Sequence, residues 1–140
     1  MHLTKRVTGI AITALVILAV FSALLPVQNV SADYWYGANA PYRGSFPNGG
    51  YVYTTSWQSS TQIFYFLKVR AEEWKKIDGV WTFRKAAENS GYSINTISCT
   101  AKKWESALYE YYFQNRAKFW YNVDGSYTYD FELSSPAVKL

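Results

Sequence analysis

The stretch AKFWYNVDGSYTYDFEL, Ala117 to Leu133, decides the fold. Its apolar residues fall on odd positions: Ala117, Phe119, Tyr121 and Val123, then Tyr127, Tyr129, Phe131 and Leu133. The even positions are mostly polar: Lys118, Asn122, Ser126, Thr128, Asp130 and Glu132. Alternation with period 2 marks half-buried β-strands, and Asp124-Gly125 between the two runs predicts a hairpin. Directly opposed residues share a face, so a two-residue loop would set odd residues against even ones. A three-residue loop, Val123-Asp124-Gly125, pairs Tyr121 with Tyr127 and Phe119 with Tyr129. It keeps the apolar residues together and places Gly125 in the left-handed conformation. An antiparallel sheet with one wet face follows.

Upstream, Ala107 to Phe113 reads as a strand, with Ala107, Tyr109, Tyr111 and Phe113 on one side. Helical spacing of Ala101, Trp104, Leu108, Tyr111 and Tyr112 is the competing pattern over 101–115. Tyr and Phe enrichment favours the strand. Ile97, Cys99 and Ala101 alternate with Thr96, Ser98 and Thr100. Glu88-Asn89-Ser90-Gly91 is a turn signal, and Val80 to Ala86 precedes it as a further strand. Ile77-Asp78-Gly79 repeats the Val-Asp-Gly pattern, and the same loop would set Lys75 opposite Trp81 and Glu73 opposite Phe83. Ile63 to Glu72 alternates, apolar on both sides at its start and on one at its end. Ser59-Ser60-Thr61 turns the chain, and Tyr51, Tyr53, Thr55 and Trp57 share one side of another strand. Asp33 to Gly50 is rich in Gly, Pro, Asn and Ser and reads as an irregular arm carrying Tyr34-Trp35-Tyr36. About seven short strands are expected over 51–140. That density predicts an all-β, small antiparallel β-sandwich with Ig-like packing.

The first residues read as a targeting segment. His2, Lys5 and Arg6 precede Val7 to Leu25, which is apolar except for Thr8, Gly9, Thr13 and Ser22. Val30-Ser31-Ala32 offers small residues where an export peptidase cuts. A secretory signal peptide over 1–32 is expected, and with it a secreted, extracellular protein. An uncleaved anchor is the alternative, because the apolar run approaches the ~18 residues of a membrane span. No other stretch is long and apolar enough to cross, so no membrane partner is expected after cleavage. Removing 32 of 140 residues leaves 108, one domain's worth. Twelve basic and ten acidic residues then remain, a net charge of +2, without the basic stripe that nucleic acid requires.

The only histidine, His2, leaves with the signal. The remaining chain has no imidazole for base catalysis or zinc, no Asp-x-Asp-x-Asp-Gly calcium loop and no Gly-rich phosphate loop. No catalytic, metal or cofactor site is read. Glu72 and Glu73 are neighbours that a strand points to opposite faces, and both read as solvated, as do Asp130 and Glu132. Cys99 is the sole cysteine and reads as a small buried residue. Aromatic residues are the remaining signal: all but Phe21 of six Trp, thirteen Tyr and eight Phe survive cleavage. Trp120 lies on the polar side of its strand between Lys118 and Asn122, and Trp74 and Tyr112 share its parity. Exposed flat rings stack on sugars or anchor protein contacts. Trp120, Trp74, Tyr112, Trp35 and Lys118 are the candidate ligand-binding residues. The expectation is a non-catalytic module for an extracellular polysaccharide or cell-wall polymer. The alternative is a protein-interaction, toxin-like or assembly component using strand edges.

Overall fold

A computed structural model describes residues 33–44 and 49–140; the expected signal peptide lies outside the described residues. The strands are β1 (Tyr34–Ala38), β2 (Tyr42–Arg43), β3 (Gly49–Ile77), β4 (Val80–Ser106), β5 (Tyr112–Asn122), β6 (Tyr129–Ser134) and β7 (Val138–Lys139). The all-β, antiparallel expectation agrees with this, and the count of seven is reached with two strands in the expected arm and five beyond it. The breaks fall elsewhere.

Asp78 and Gly79 both take positive φ, 50° and 80°, the two-residue turn that Asp-Gly favours because its twist matches the strands. Ile77 therefore faces Val80, and Trp74 faces Phe83. The three-residue loop expected here does not form. One extra residue, Arg84, bulges between the Glu73–Lys85 and Trp74–Phe83 pairs. From that turn a single ladder runs to Gly49–Ser106. It absorbs Glu88-Asn89-Ser90-Gly91, which pairs with Arg70 to Leu67 and makes no turn. The Ser59-Ser60-Thr61 segment, expected as a turn between two strands, stays within β3 and makes no hairpin loop, but the chain does change course there. Between Ser59–Thr96 and Phe64–Ile94 the ladder shifts register, and Ser93, next to Ile94, takes φ 52°.

The shift is a crease. Ten residues of straight strand span about 33 Å, yet the Gln58 side-chain amide donates to the Lys68 carbonyl at 2.7 Å. It also donates to the Trp120 carbonyl at 3.2 Å. The long hairpin folds back on itself. The first half of β3 carries β1 and β2 beside it, and the second half carries β5, then β6 and β7. All seven strands belong to one sheet. The separate sheets of Ig-like packing are not drawn, because β3 and β4 run unbroken through the crease. The arm expected to be irregular is strand at Tyr34–Ala38, paired with Ser56–Ser60.

Inside lie Phe64, Leu67, Val69, Ala71, Ile97, Cys99, Ala101, Phe113, Ala117 and Phe119. The odd-position parity of the final stretch holds: Phe119 stacks on Phe131 at 4.9 Å and Tyr121 on Tyr129 at 5.1 Å. Tyr34 and Tyr36 close over them, 5.3 Å from Tyr121 and 4.7 Å from Phe131. Cys99 donates weakly to the Val69 and Ala87 carbonyls, and burial pushes its thiol up to about 11. It is an inert core residue, as expected.

Much of the interior is polar. Thr54, Ser56, Gln58 and Asn115 are fully buried. Asn115 Nδ2 donates to the Thr55 carbonyl at 2.9 Å and the Asn39 carbonyl at 3.2 Å. Over 101–115 the structure is neither the expected strand nor a helix throughout. β4 continues to Ser106, Ala107 takes φ 50°, and Leu108–Glu110 forms one 3-10 turn before β5.

Gly125 takes φ 93°, as expected, in a loop two residues longer on the β6 side: Tyr121 pairs with Tyr129 and Phe119 with Phe131. Asn122 Oδ1 accepts the Gly125 N–H at 2.7 Å. Gly125→Ala should cost about 1 kcal/mol in a denaturant melt, and Gly125→Asn less. Asn115→Ala removes the amide donor from the Thr55 and Asn39 carbonyls and the acceptor of the Ser56 hydroxyl and should cost roughly 2–3 kcal/mol in the same melt. A neutral Asn115→Ala would mean the crease is not held by that amide.

Candidate functional site

The register brings Trp74, Lys118 and Trp120 to one face. Trp120 faces Lys68, Lys118 faces Arg70, and Trp74 faces Gln114. Each is already engaged. The Lys68 ammonium sits 4.7 Å over the Trp120 ring, and the Arg116 guanidinium 4.3 Å over Trp74. Trp74 Nε1 donates to Glu72 at 2.9 Å. Lys118 bridges Glu72 at 3.6 Å and Glu132 at 3.7 Å. Burial pushes the Glu72 carboxyl up, but hydrogen bonds from Arg70 and Trp74 outweigh it and hold it below the usual range. Two shallow grooves of about 140 Å³ flank Lys118. Lys68, Arg70, Arg116 and Lys118 balance Glu72, Glu88, Asp130 and Glu132 here, so the charge of this face is spent within it. Tyr112 has the same parity two residues beyond Gln114, at the β7 end of β5 and far from Trp120, with Lys139 over its ring.

Trp35 belongs to a different face, on the outer side of the first half of the hairpin. Even residues of β3 point inward there: Val52, Thr54, Ser56, Gln58 and Ser60 are buried. Odd residues therefore point out, and opposed partners share their side. Trp35 pairs with Ser59, and Gly37 with Trp57. Tyr42 pairs with Tyr53, Tyr51 with Trp104, Tyr53 with Lys102, and Thr55 with Thr100. The result is a surface of three Trp, three Tyr, several hydroxyls and one ammonium. No carboxylate stands on these positions among the described residues.

Its centre is Trp57. A Cβ built on Gly37 would lie 2.6 Å from Trp57 Nε1 and 2.8 Å from Cζ2, so the ring lies across the glycine. Trp57 Nε1 donates to Asn39 Oδ1 at 3.2 Å, which fixes the ring's rotation. Laid across Gly37, the indole is half-buried. Tyr42 stacks on Tyr53 at 5.2 Å, and Tyr51 meets Trp104 edge-on at 5.4 Å. Thr55 and Thr100 share a hydrogen bond of 2.8 Å. Such a surface stacks and exchanges hydrogen bonds with hydroxyl-rich ligands. The sequence reading placed Tyr51, Tyr53 and Trp57 on one side but did not take them as a site. The usable signal was Gly37 between Trp35 and Asn39, a position with no side chain to stand between a neighbouring ring and the sheet.

Inside the sheet lies a pair of carboxylates. Glu72 and Glu73 do point to opposite faces, but neither is solvated: both are buried. Glu73 has no hydrogen-bond partner as an anion. Glu105, buried nearby, takes Lys75 at 3.0 Å and Arg84 at 2.7 Å. Two carboxylates bond to each other only when one holds a proton. Burial, then that shared bond with Glu105, push Glu73 up to about 8, while the bonds from Arg84 and Lys75 overcome burial and keep Glu105 low. The parity that buries Ile97, Cys99 and Ala101 also buries Glu105. Compared with known families, curated proteins and solved structures, the chain matches none.

The raised Glu73 carboxyl has a signed consequence. Between its ordinary value near 4.5 and about 8, the folded chain binds the extra proton, so stability falls as pH rises through that window. Each unit of difference is worth about 1.4 kcal/mol. Glu73→Gln keeps the shape and removes the titration, so its melting temperature should fall less than the parent's from pH 5 to pH 9. Parallel pH profiles would mean that Glu73 is not a proton-holding buried acid.

Proposed function

We propose that this chain is a secreted, non-catalytic β domain that binds an extracellular polysaccharide or cell-wall polymer. The binding surface is the face carrying Trp35, Tyr42, Tyr53 and Trp57. One observation carries the reading: Trp57 is laid flat on Gly37 and held by Asn39, amid hydroxyl groups and without an acid beside it. Apolar pyranose faces stack on such rings, and sugar hydroxyls meet Thr, Ser and Tyr hydroxyls. The signal-like segment over 1–32 supports export. Trp74, Lys118 and Trp120 are the second choice of surface, since their rings and charges already satisfy one another.

A second reading has its own observation. Among the described residues β4 pairs only with β3, which leaves its other edge without a strand from them, and an open edge accepts another strand. Assembly through that edge predicts oligomers in the absence of sugar.

Pull-down of the purified protein on a polysaccharide and cell-wall panel tests the first reading. Trp57→Ala and Trp35→Ala should each weaken retention about tenfold, the loss of a stacking anchor, with melting temperatures close to the parent's. Trp120→Ala should keep binding. Loss of binding in Trp120→Ala alone moves the site to the opposite face. Concentration-dependent oligomers without any polymer retention support assembly instead.

A further inference from the structure

The proposed surface carries its own hint about ligand charge. Lys102 stands on it opposite Tyr53. Its ammonium lies 4.1 Å from the Tyr51 ring centroid and 5.6 Å from that of Tyr53. The rings hold the cation through their negative faces, and among the described residues neither Tyr hydroxyl accepts from its three N–H groups. Among the described residues Lys102 makes no ion pair with a carboxylate. The contrast with the opposite face is direct. There Lys68, Arg70 and Lys118 each meet Glu72, Glu88 or Glu132 within 4 Å.

Trp57 and Tyr53 are four residues apart on β3, which is about 13 Å along the strand. Thr55 and Thr100 lie between them. A ligand that stacks on Trp57 and reaches Lys102 is therefore a chain of several sugars running along β3, not a single ring.

Resting on the glycan-binding reading, we infer that the ligand is an acidic glycan whose anionic group seats at Lys102 while its rings lie over Tyr53 and Trp57. Two sources share this chemistry: uronate carboxylates and the phosphodiesters of wall polymers.

The purified protein is titrated with polygalacturonate, its neutral methyl ester, a phosphomannan whose sugars carry phosphodiesters, and cellulose, at low and high salt. An acidic polymer should bind about two- to fivefold tighter than the neutral ones, the scale of one exposed charge pair. That margin should shrink with salt, vanish in Lys102→Gln and persist in Lys102→Arg. The better of the uronate and phosphate arms names the source. Equal binding of polygalacturonate, the phosphomannan and the neutral polymers overturns the inference and leaves glycan binding standing. An acidic preference that Lys102→Gln retains also overturns it. If none of the polymers binds, the inference and the reading beneath it both fall. Lys102 is exposed, and a melt of each variant confirms that its fold is kept.

Discussion

Two buried side-chain amides hold this molecule in its shape. A straight 29-residue strand would run about 95 Å, several times the radius of a domain of this size. β3 must therefore fold back, and the fold brings its own backbone carbonyls inside. Gln58 meets the carbonyls of Lys68 and Trp120, and its Oε1 accepts from the Tyr34 hydroxyl at 2.6 Å. Asn115 meets those of Thr55 and Asn39. Buried polar groups without partners cost 1–3 kcal/mol each, by rough mutational estimates. An apolar residue at either position would take a donor away from two carbonyls at once.

That constraint also explains where the aromatic residues went. The inward row of β3 near the crease is Thr54, Ser56, Gln58 and Ser60, small or polar because it must approach the opposing half closely. The large rings of the same segment, Tyr51, Tyr53 and Trp57, have only the outer side left. The polar interior and the aromatic exterior are one arrangement seen from two sides.

The parity of Ala117 to Leu133 was legible because one side of that stretch is wet and the other is not. The loop length was not, since lengthening a hairpin loop by two residues preserves every odd–odd pair. Asn122 and Asp124 choose the longer loop with side-chain hydrogen bonds to Gly125 and Ser126. At Asp78-Gly79 the two-residue turn was hidden for the opposite reason: the Arg84 bulge corrects the parity later. Glu88 to Gly91 has turn-forming residues, but a full-length partner strand overrides that preference. Ala107 in a left-handed conformation has no sequence mark. For the site, parity grouped Trp74, Lys118 and Trp120 correctly. The cations that cover those rings come from residues paired through tertiary register, which local spacing does not reveal.

The unbroken pairing of β3 with β4 bears on how such a chain reaches its native state. Away from the Arg84 bulge and the crease, each rung beyond Ile77–Val80 joins residues only two positions further apart in sequence than the rung before it. Loop-closure entropy is thus incurred mainly once, at Asp78-Gly79, and grows slowly afterwards. A sheet protein whose largest interface zips outward from one tight turn avoids much of the search that slows folds built on distant strand pairings. The distant contacts, Ser56 and Gln58 with β5 and β1 with β6, then join elements that the hairpin has already brought into reach.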